Sequence, residues 1–271
     1  MLDQKQAFVN IFENFKSAKL VSPRGQLVKE LENFSYELPP NVRFMNFKSR
    51  NFKLDYTRKE ILWYLKGDRY DTSICEHAKM WRSLVNADGS INSNYGQYIF
   101  GRRSGLICRG NVSQFENVID TLKNDRDSRR ASIMILKDVH LLSDTPDVPC
   151  TYSLNFRIRE NKLNVSVLMR SQDAIFGMTN DLPAFSIIHE MVFQSLKSTY
   201  PDLVQGNYHH HCNSFHVYER HFEMVDKIVD GDEFNVVDCP AMSGDDEVKF
   251  LIKSEFDDIP ETFKFTKWLC S

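Results

Sequence analysis

An α+β fold is predicted for this chain of 271 residues. Three observations predict it. Four segments carry apolar residues at helical spacing, several runs alternate apolar and polar residues as antiparallel strands do, and the two kinds do not alternate regularly as in a wholly parallel sheet. Composition shifts only at the acidic run Ser243–Glu247, and no Pro/Gly/Ser-rich linker divides the chain. One domain over 1–271 is therefore expected.

Residues 4–18 place Ala7, Phe8, Ile11, Phe12 and Phe15 on one helical face. A second helix is expected over Thr57–Gly67, with Thr57 as its cap, Ile61, Leu62 and Leu65 as its stripe, and Gly67 as its stop. A third spans 113–124 with Phe115, Val118, Ile119 and Leu122 facing inward. Residues 132–136 read as a short strand. Tyr152, Leu154, Phe156 and Ile158, then Leu163, Val165 and Val167, read as a hairpin turning at Glu160-Asn161, with paired residues summing to about 321. The longest helix is expected over Asp181–Leu196, with Leu182, Phe185, Ile188, Met191, Val192 and Leu196 inside.

Lys+Arg of 34 against Asp+Glu of 37 gives a net charge of −3, which argues against a duplex-binding protein and leaves room for small phosphorylated ligands. The six Cys (75, 108, 150, 212, 239, 270) form no CxxC pair. MLDQKQAFVN lacks the basic and then apolar stretch of a signal peptide, and no apolar run is long enough to span a membrane. The expectation is a soluble cytoplasmic protein with reduced thiols.

The hairpin supplies the first chemical argument. Its pairing sets Cys150 opposite Arg170-Ser171-Gln172-Asp173, and a thiol beside a guanidinium is favoured as thiolate, the nucleophilic form. A small buried residue entering a strand is the alternative. Glu60 fits a capping box begun by Thr57, Asp181 is a natural helix cap before Pro183, and Arg129-Arg130 can be a solvated corner. His209-His210-His211-Cys212 alternates its side chains across an extended segment and cannot converge on one ion, so no metal is expected. His216 and Tyr218 share one face and can hold a sugar hydroxyl.

In order, these motifs resemble the thymidylate synthase family. Pro149-Cys150, Arg170-Ser171-Gln172-Asp173, Gly177, and His216-Val217-Tyr218 with His221 resemble its nucleophile and nucleotide-binding motifs. Glu60–Asp68 resembles its helix bearing the catalytic Glu, and Trp81, Asn94-Tyr95-Gly96 and Ser128-Arg129-Arg130 also match. The resemblance covers roughly residues 20–230. Departures are Asp181 where synthases have Asn, Thr151 where they usually have His, and Leu84 where many carry a second Trp. Residues 88–96, Met169-Arg170-Ser171 with Phe176-Gly177 and Asn180-Asp181, and residues 215–221 are more similar to the bacteriophage deoxycytidylate hydroxymethylase branch.

The resemblance implies a mixed sheet with helices packed on it, and folate-dependent one-carbon transfer to a pyrimidine deoxynucleotide. Cys150, Glu60, Tyr95 and Asp181 would be catalytic. Arg24, Arg129, Arg130, Arg170, Ser171, Gln172, Asp173, Asp181, His216 and Tyr218 would bind substrate. Trp81, Asp173 and Gly177 would lie by 5,10-methylenetetrahydrofolate. Arg129 and Arg130 would come from the second subunit of a homodimer. A protonated Asp181 complements the amino group and bare N3 of cytosine, as Asn complements uracil.

Overall fold

The computed structural model describes residues 3–101 and 111–271; Cys108 lies outside them. The strands are β1 (Lys19–Val21), β2 (Val28–Leu38), β3 (Ser132–Met134), β4 (Thr151–Arg159), β5 (Lys162–Asp173) and β6 (Val204–Tyr218). The α-helices are α1 (Gln4–Glu13), α2 (Leu54–Lys66), α3 (Ile74–His77), α4 (Gly96–Ile99), α5 (Gln114–Asn124), α6 (Asp138–Leu142), α7 (Phe176–Leu196), α8 (Phe222–Val229), α9 (Asp245–Lys253) and α10 (Lys264–Cys270).

The strands form one sheet in the order β1-β2-β6-β5-β4-β3. Every pairing is antiparallel except β5 with β6, which α7 connects. The sheet is therefore mixed and the class α+β, as expected. Helix α7 is apolar around most of its circumference, so it is buried between the sheet and the outer helices.

The β4–β5 hairpin has the expected register. Arg159 pairs with Lys162, Ile158 with Leu163 and Leu154 with Val167, each summing to 321, and a bulge between Thr151 and Ser153 shifts Thr151 onto Met169. Glu160 and Asn161 take positive φ (48° and 61°), the left-handed pair that a two-residue hairpin turn requires.

Two helix starts differ from expectation. Helix α2 begins at Leu54 with Lys53 as its cap residue, so Thr57 lies inside it, fully buried, and approaches Asn180 Oδ1 at 3.2 Å. Helix α7 begins at Phe176, where Asp173 Oδ1 accepts the N–H of Ile175 at 2.8 Å, so Asp181 stands in its second turn. Neither Glu60 nor Asp181 is then a helix cap, and both carboxyls are left for another purpose. Helix α1 also stops at Glu13, and residues 14–17 continue as a tighter 3₁₀ turn.

One close approach positions the site. A Cβ on Gly96 would lie 1.9 Å from the carbonyl oxygen of Tyr64 in α2. Only glycine lets the turn carrying Tyr95 press against the helix carrying Glu60. Among the described helices none is long and apolar enough to cross a membrane.

Candidate active site

The C-terminal ends of the parallel strands β5 and β6 meet the start of α7, and the chain enters β4 at the same end of the sheet. Cys150 immediately precedes β4. Its carbonyl accepts Arg170 N–H at 2.8 Å, and its Sγ lies 3.5 Å from Arg170 Nη2. The guanidinium is fixed by donating to the carbonyls of Val148 (2.7 Å) and Pro149 (3.0 Å). The Tyr95 hydroxyl accepts the Cys150 N–H at 3.3 Å, and its ring stacks between Tyr64 and Phe185 with centroids 5.6 and 5.9 Å away.

The thiolate expectation needs correcting. Burial pushes the Cys150 thiol above its ordinary value, Arg170 pulls it down, and the negative charges of Asp181 and Asp147 push it up again. Burial is the largest of these influences and one guanidinium does not outweigh it, so the resting residue is a thiol.

Glu60 is buried in α2, and Asp181 is half-buried in α7. Burial, then the charge of Asp181, raises Glu60 to about 8, while the bond from Tyr56 acts the other way. Burial raises Asp181 to about 7 against a lowering hydrogen bond from Gln172, whose Nε2 donates to Asp181 Oδ2 at 2.9 Å. Near neutrality Glu60 is therefore largely protonated and Asp181 about half so, and the protonated form can donate a hydrogen bond. Gln172 Oε1 is buried and unpartnered among the described residues.

Strand register sets the remaining residues. Asp173 lies opposite His216 and Ser171 opposite Ser214. His216 Nδ1 lies 3.3 Å from the Ser214 carbonyl, and its ring meets Tyr218 edge-on at 5.1 Å. Val28 pairs with Tyr218, which brings the β1–β2 turn and its exposed Arg24 to the same end. A Cβ on Gly177 would sit 3.7 Å from Asp181 Oδ2, so this glycine keeps space open beside the carboxyl.

One expected residue, Trp81, is placed otherwise. Trp81 is 7% exposed, packs edge-on against Trp63 at 5.1 Å, and donates its indole N–H to Tyr56 at 2.8 Å. Little of its ring is open for stacking; it acts through Tyr56, which in turn donates to Glu60. Arg129 and Arg130 are exposed and precede edge strand β3, whose residue Ser132 pairs with Asn155. Continuing that register sets Arg130 seven residues along β4 from Cys150, about 20 Å or more at strand rise. They do not reach the Cys150 of their own chain.

Sequence reading missed three residues. Tyr56 stands four residues before Glu60 on one helix face, and placing the start of α2 at Leu54 would have revealed it. Arg50 is buried, donates to Ile175 O and to Thr179 Oγ1 (3.1 Å each), and lies 3.9 Å from the exposed ring of Phe176. Asp147 is buried three residues before Cys150, and no local pattern marks it.

A nucleophile beside an arginine, faced by two carboxyls raised above their ordinary range at the mouth of a mixed sheet, defines an enzyme site for an anionic, hydrogen-bonding substrate. The thymidylate synthase family model matches residues 28–261, and the chain belongs to that family of folate-dependent pyrimidine one-carbon transferases. It is 31% identical over 180 residues to deoxycytidylate 5-hydroxymethyltransferase of Enterobacteria phage T6, covering 64% of this chain and 70% of that protein. The phage T4 protein of the same name is 30% identical over the same shares. Deoxyuridylate hydroxymethyltransferase of Bacillus phage SP01 is 28% identical over 221 residues, 79% of this chain and 56% of that protein.

Proposed function

We propose that this chain, as one thymidylate synthase-like domain, is a deoxycytidylate 5-hydroxymethyltransferase. It would convert dCMP to 5-hydroxymethyl-dCMP with 5,10-methylenetetrahydrofolate as one-carbon donor and water as the final reactant. The observation that carries the reading is Asp181, half-buried beside the nucleophile, whose carboxyl is raised to about 7 so that a large share of it holds a proton near neutrality. Its Oδ2 already accepts from Gln172, so the acid proton belongs on Oδ1. Oδ1–H then donates to the bare N3 of cytosine while Oδ2 accepts from the 4-amino group. Uracil reverses both partners.

Cys150 would add to C6 of the base, C5 would take the one-carbon unit as tetrahydrofolate leaves, and addition of water to the resulting exocyclic methylene would expel Cys150. The attacking thiolate forms once its proton is lost, with Arg170 beside the sulfur to stabilise it. Tyr95 assists loss of the C5 proton, and Glu60 moves protons to and from the water. Arg24, Arg170 and Ser171 hold the phosphate, joined by Arg129 and Arg130 of a second subunit; guanidinium–phosphate pairs are strong and directional. His216 and Tyr218 hold the 3′-hydroxyl. Asp173, Gly177 and the 43%-exposed ring of Phe176 offer a polar anchor, a gap and an aromatic face to the folate. A homodimer, cytoplasmic and without metal, completes the reading.

Hydroxymethylation of dUMP is the second reading, supported by the phage SP01 relative. Incubation with methylenetetrahydrofolate and either nucleotide decides between them. A hydroxymethyl mass on dCMP without dihydrofolate absorbance is expected. The same mass only on dUMP moves the substrate, dihydrofolate formation makes the protein a synthase, and no product leaves a nucleotide-binding protein.

A further inference from the structure

Asp147 is 4% exposed and has no part in the chemistry above. Its Oδ2 accepts the Ser93 N–H at 2.6 Å and its Oδ1 the Ser93 hydroxyl. Its backbone carbonyl accepts Asn92 Nδ2 at 2.9 Å, and Asn92 Nδ2 also reaches Thr145 Oγ1 at 3.0 Å. Two turns are thereby laced together. One runs from Asn92 to Tyr95 and the other from Thr145 to Cys150, and they meet again where Tyr95 Oη accepts the Cys150 N–H.

We propose that Asp147 is a positioning residue for the one-carbon transfer, holding the Tyr95 turn against the Cys150 turn and setting the charge balance around the nucleophile with Arg170. This rests on the reading of Cys150 as nucleophile. Both Asp147 oxygens accept from Ser93, a pair of acceptors that Asn cannot supply; burial pushes the carboxyl above its ordinary value, against the Ser93 hydrogen bonds and, more weakly, the charge of Arg170. The charged or titratable groups facing the Cys150 thiol are Arg170 from β5, Asp181 from α7, Asp147 from its own turn, Tyr95 from the turn before α4 and Cys212 from β6. Arg170 favours a thiolate; Asp147 and Asp181 oppose it. Asp147 therefore adds to the burial that keeps the resting sulfur protonated, while fixing where it sits.

The test compares Asp147→Asn and Ser93→Ala in the full-length protein. Iodoacetamide labelling of the Cys150 peptide is followed by mass spectrometry across pH, beside kcat and KM for the nucleotide. Asp147→Asn should move the labelling midpoint to lower pH and cut kcat about tenfold with little change in KM. Ser93→Ala keeps the charge while weakening the lacing, so kcat should fall without a downward midpoint shift. A midpoint unchanged in Asp147→Asn, or equal loss in both variants together with lower thermal stability alone, makes Asp147 a structural residue and overturns the proposal. Cys150→Ser separates this from the parent reading: full turnover there removes the nucleophile, whereas a dead Cys150→Ser with an unmoved Asp147→Asn midpoint rejects only the role of Asp147.

Discussion

Tyr56 donates its hydroxyl hydrogen to Glu60 Oε1 at 3.1 Å, four residues along α2. The Trp81 indole can only donate, and it donates to the same hydroxyl at 2.8 Å, so the phenol proton is directed at the carboxyl. Oε1 is thereby held as an acceptor, and when Glu60 is neutral its proton belongs on Oε2. The bond from Tyr56 also favours the ionised form, against burial and the charge of Asp181. Tyr56→Phe removes that support, so Glu60 should hold its proton to still higher pH. The limb of the pH–kcat profile belonging to Glu60 should shift upward, with activity at its optimum down roughly tenfold. A limb left in place would assign it to another group.

Asp181 sets base choice in the proposed reaction. Asp181→Asn replaces an O–H donor with an amide that complements uracil. The ratio of kcat/KM for dCMP over dUMP should fall by about 10- to 100-fold, the range expected when one base edge opposes two wrong partners. Steady-state kinetics with both nucleotides measures it. An unchanged ratio would place the discrimination elsewhere in the pocket.

The same carboxyl carries a stability signature. Its folded value of about 7 lies above the ordinary carboxylate range, so between about pH 4 and 7 the folded state keeps a proton that the unfolded chain has lost. The contribution is full below pH 4 and is lost as pH rises to 7. Asn does not titrate. Stability of Asp181→Asn relative to the parent should therefore rise across that window, by on the order of 2–4 kcal/mol, in urea unfolding at pH 4.5 and 8. His189 and His210, buried and lowered to about 4 and about 3, work in the opposite direction. They are common to both proteins and cancel in the difference. A pH-independent difference would mean that Asp181 is ionised in the fold.

The hairpin was legible because strand period and turn chemistry agree: alternating Leu154, Phe156 and Ile158 meet Leu163, Val165 and Val167 around two residues able to take positive φ. Helix interiors were legible for the same reason, but two helix starts were not. Thr57 and Asp181 are good capping residues by type, yet Lys53 and the Asp173 turn begin those helices: Thr57 is buried against Asn180 of α7, and Asp173 accepts the Ile175 N–H ahead of Asp181. The nucleophile and its arginine could be paired from hairpin register alone. Asp147 could not, since its partner Ser93 is 54 residues away and meets it only through tertiary packing. The protonation of Cys150 was misjudged because a sequence shows the neighbouring guanidinium and not the depth of burial.

Arg129 and Arg130 stand at the hairpin-turn end of the sheet, whereas Cys150 stands at the other. The exposed sheet face between them carries Met134 (49% exposed) and Tyr152 (37%), apolar groups that a second copy would cover. In the homodimer proposed above, formed through this face, each arginine pair would reach the partner's nucleophile. Arg130→Ala and Cys150→Ser should each be inactive alone. Mixed and re-equilibrated, half of the dimers are hybrids, and each hybrid contains one site with both Cys150 and Arg130 intact. Activity should recover to about a quarter of the parent value, from a statistical half of dimers with one of two sites working. Titrating one variant against the other at fixed total protein gives a curve with its maximum at equal amounts. A mixture as inactive as its components would place both residues in the site of the same chain, or neither arginine in any site.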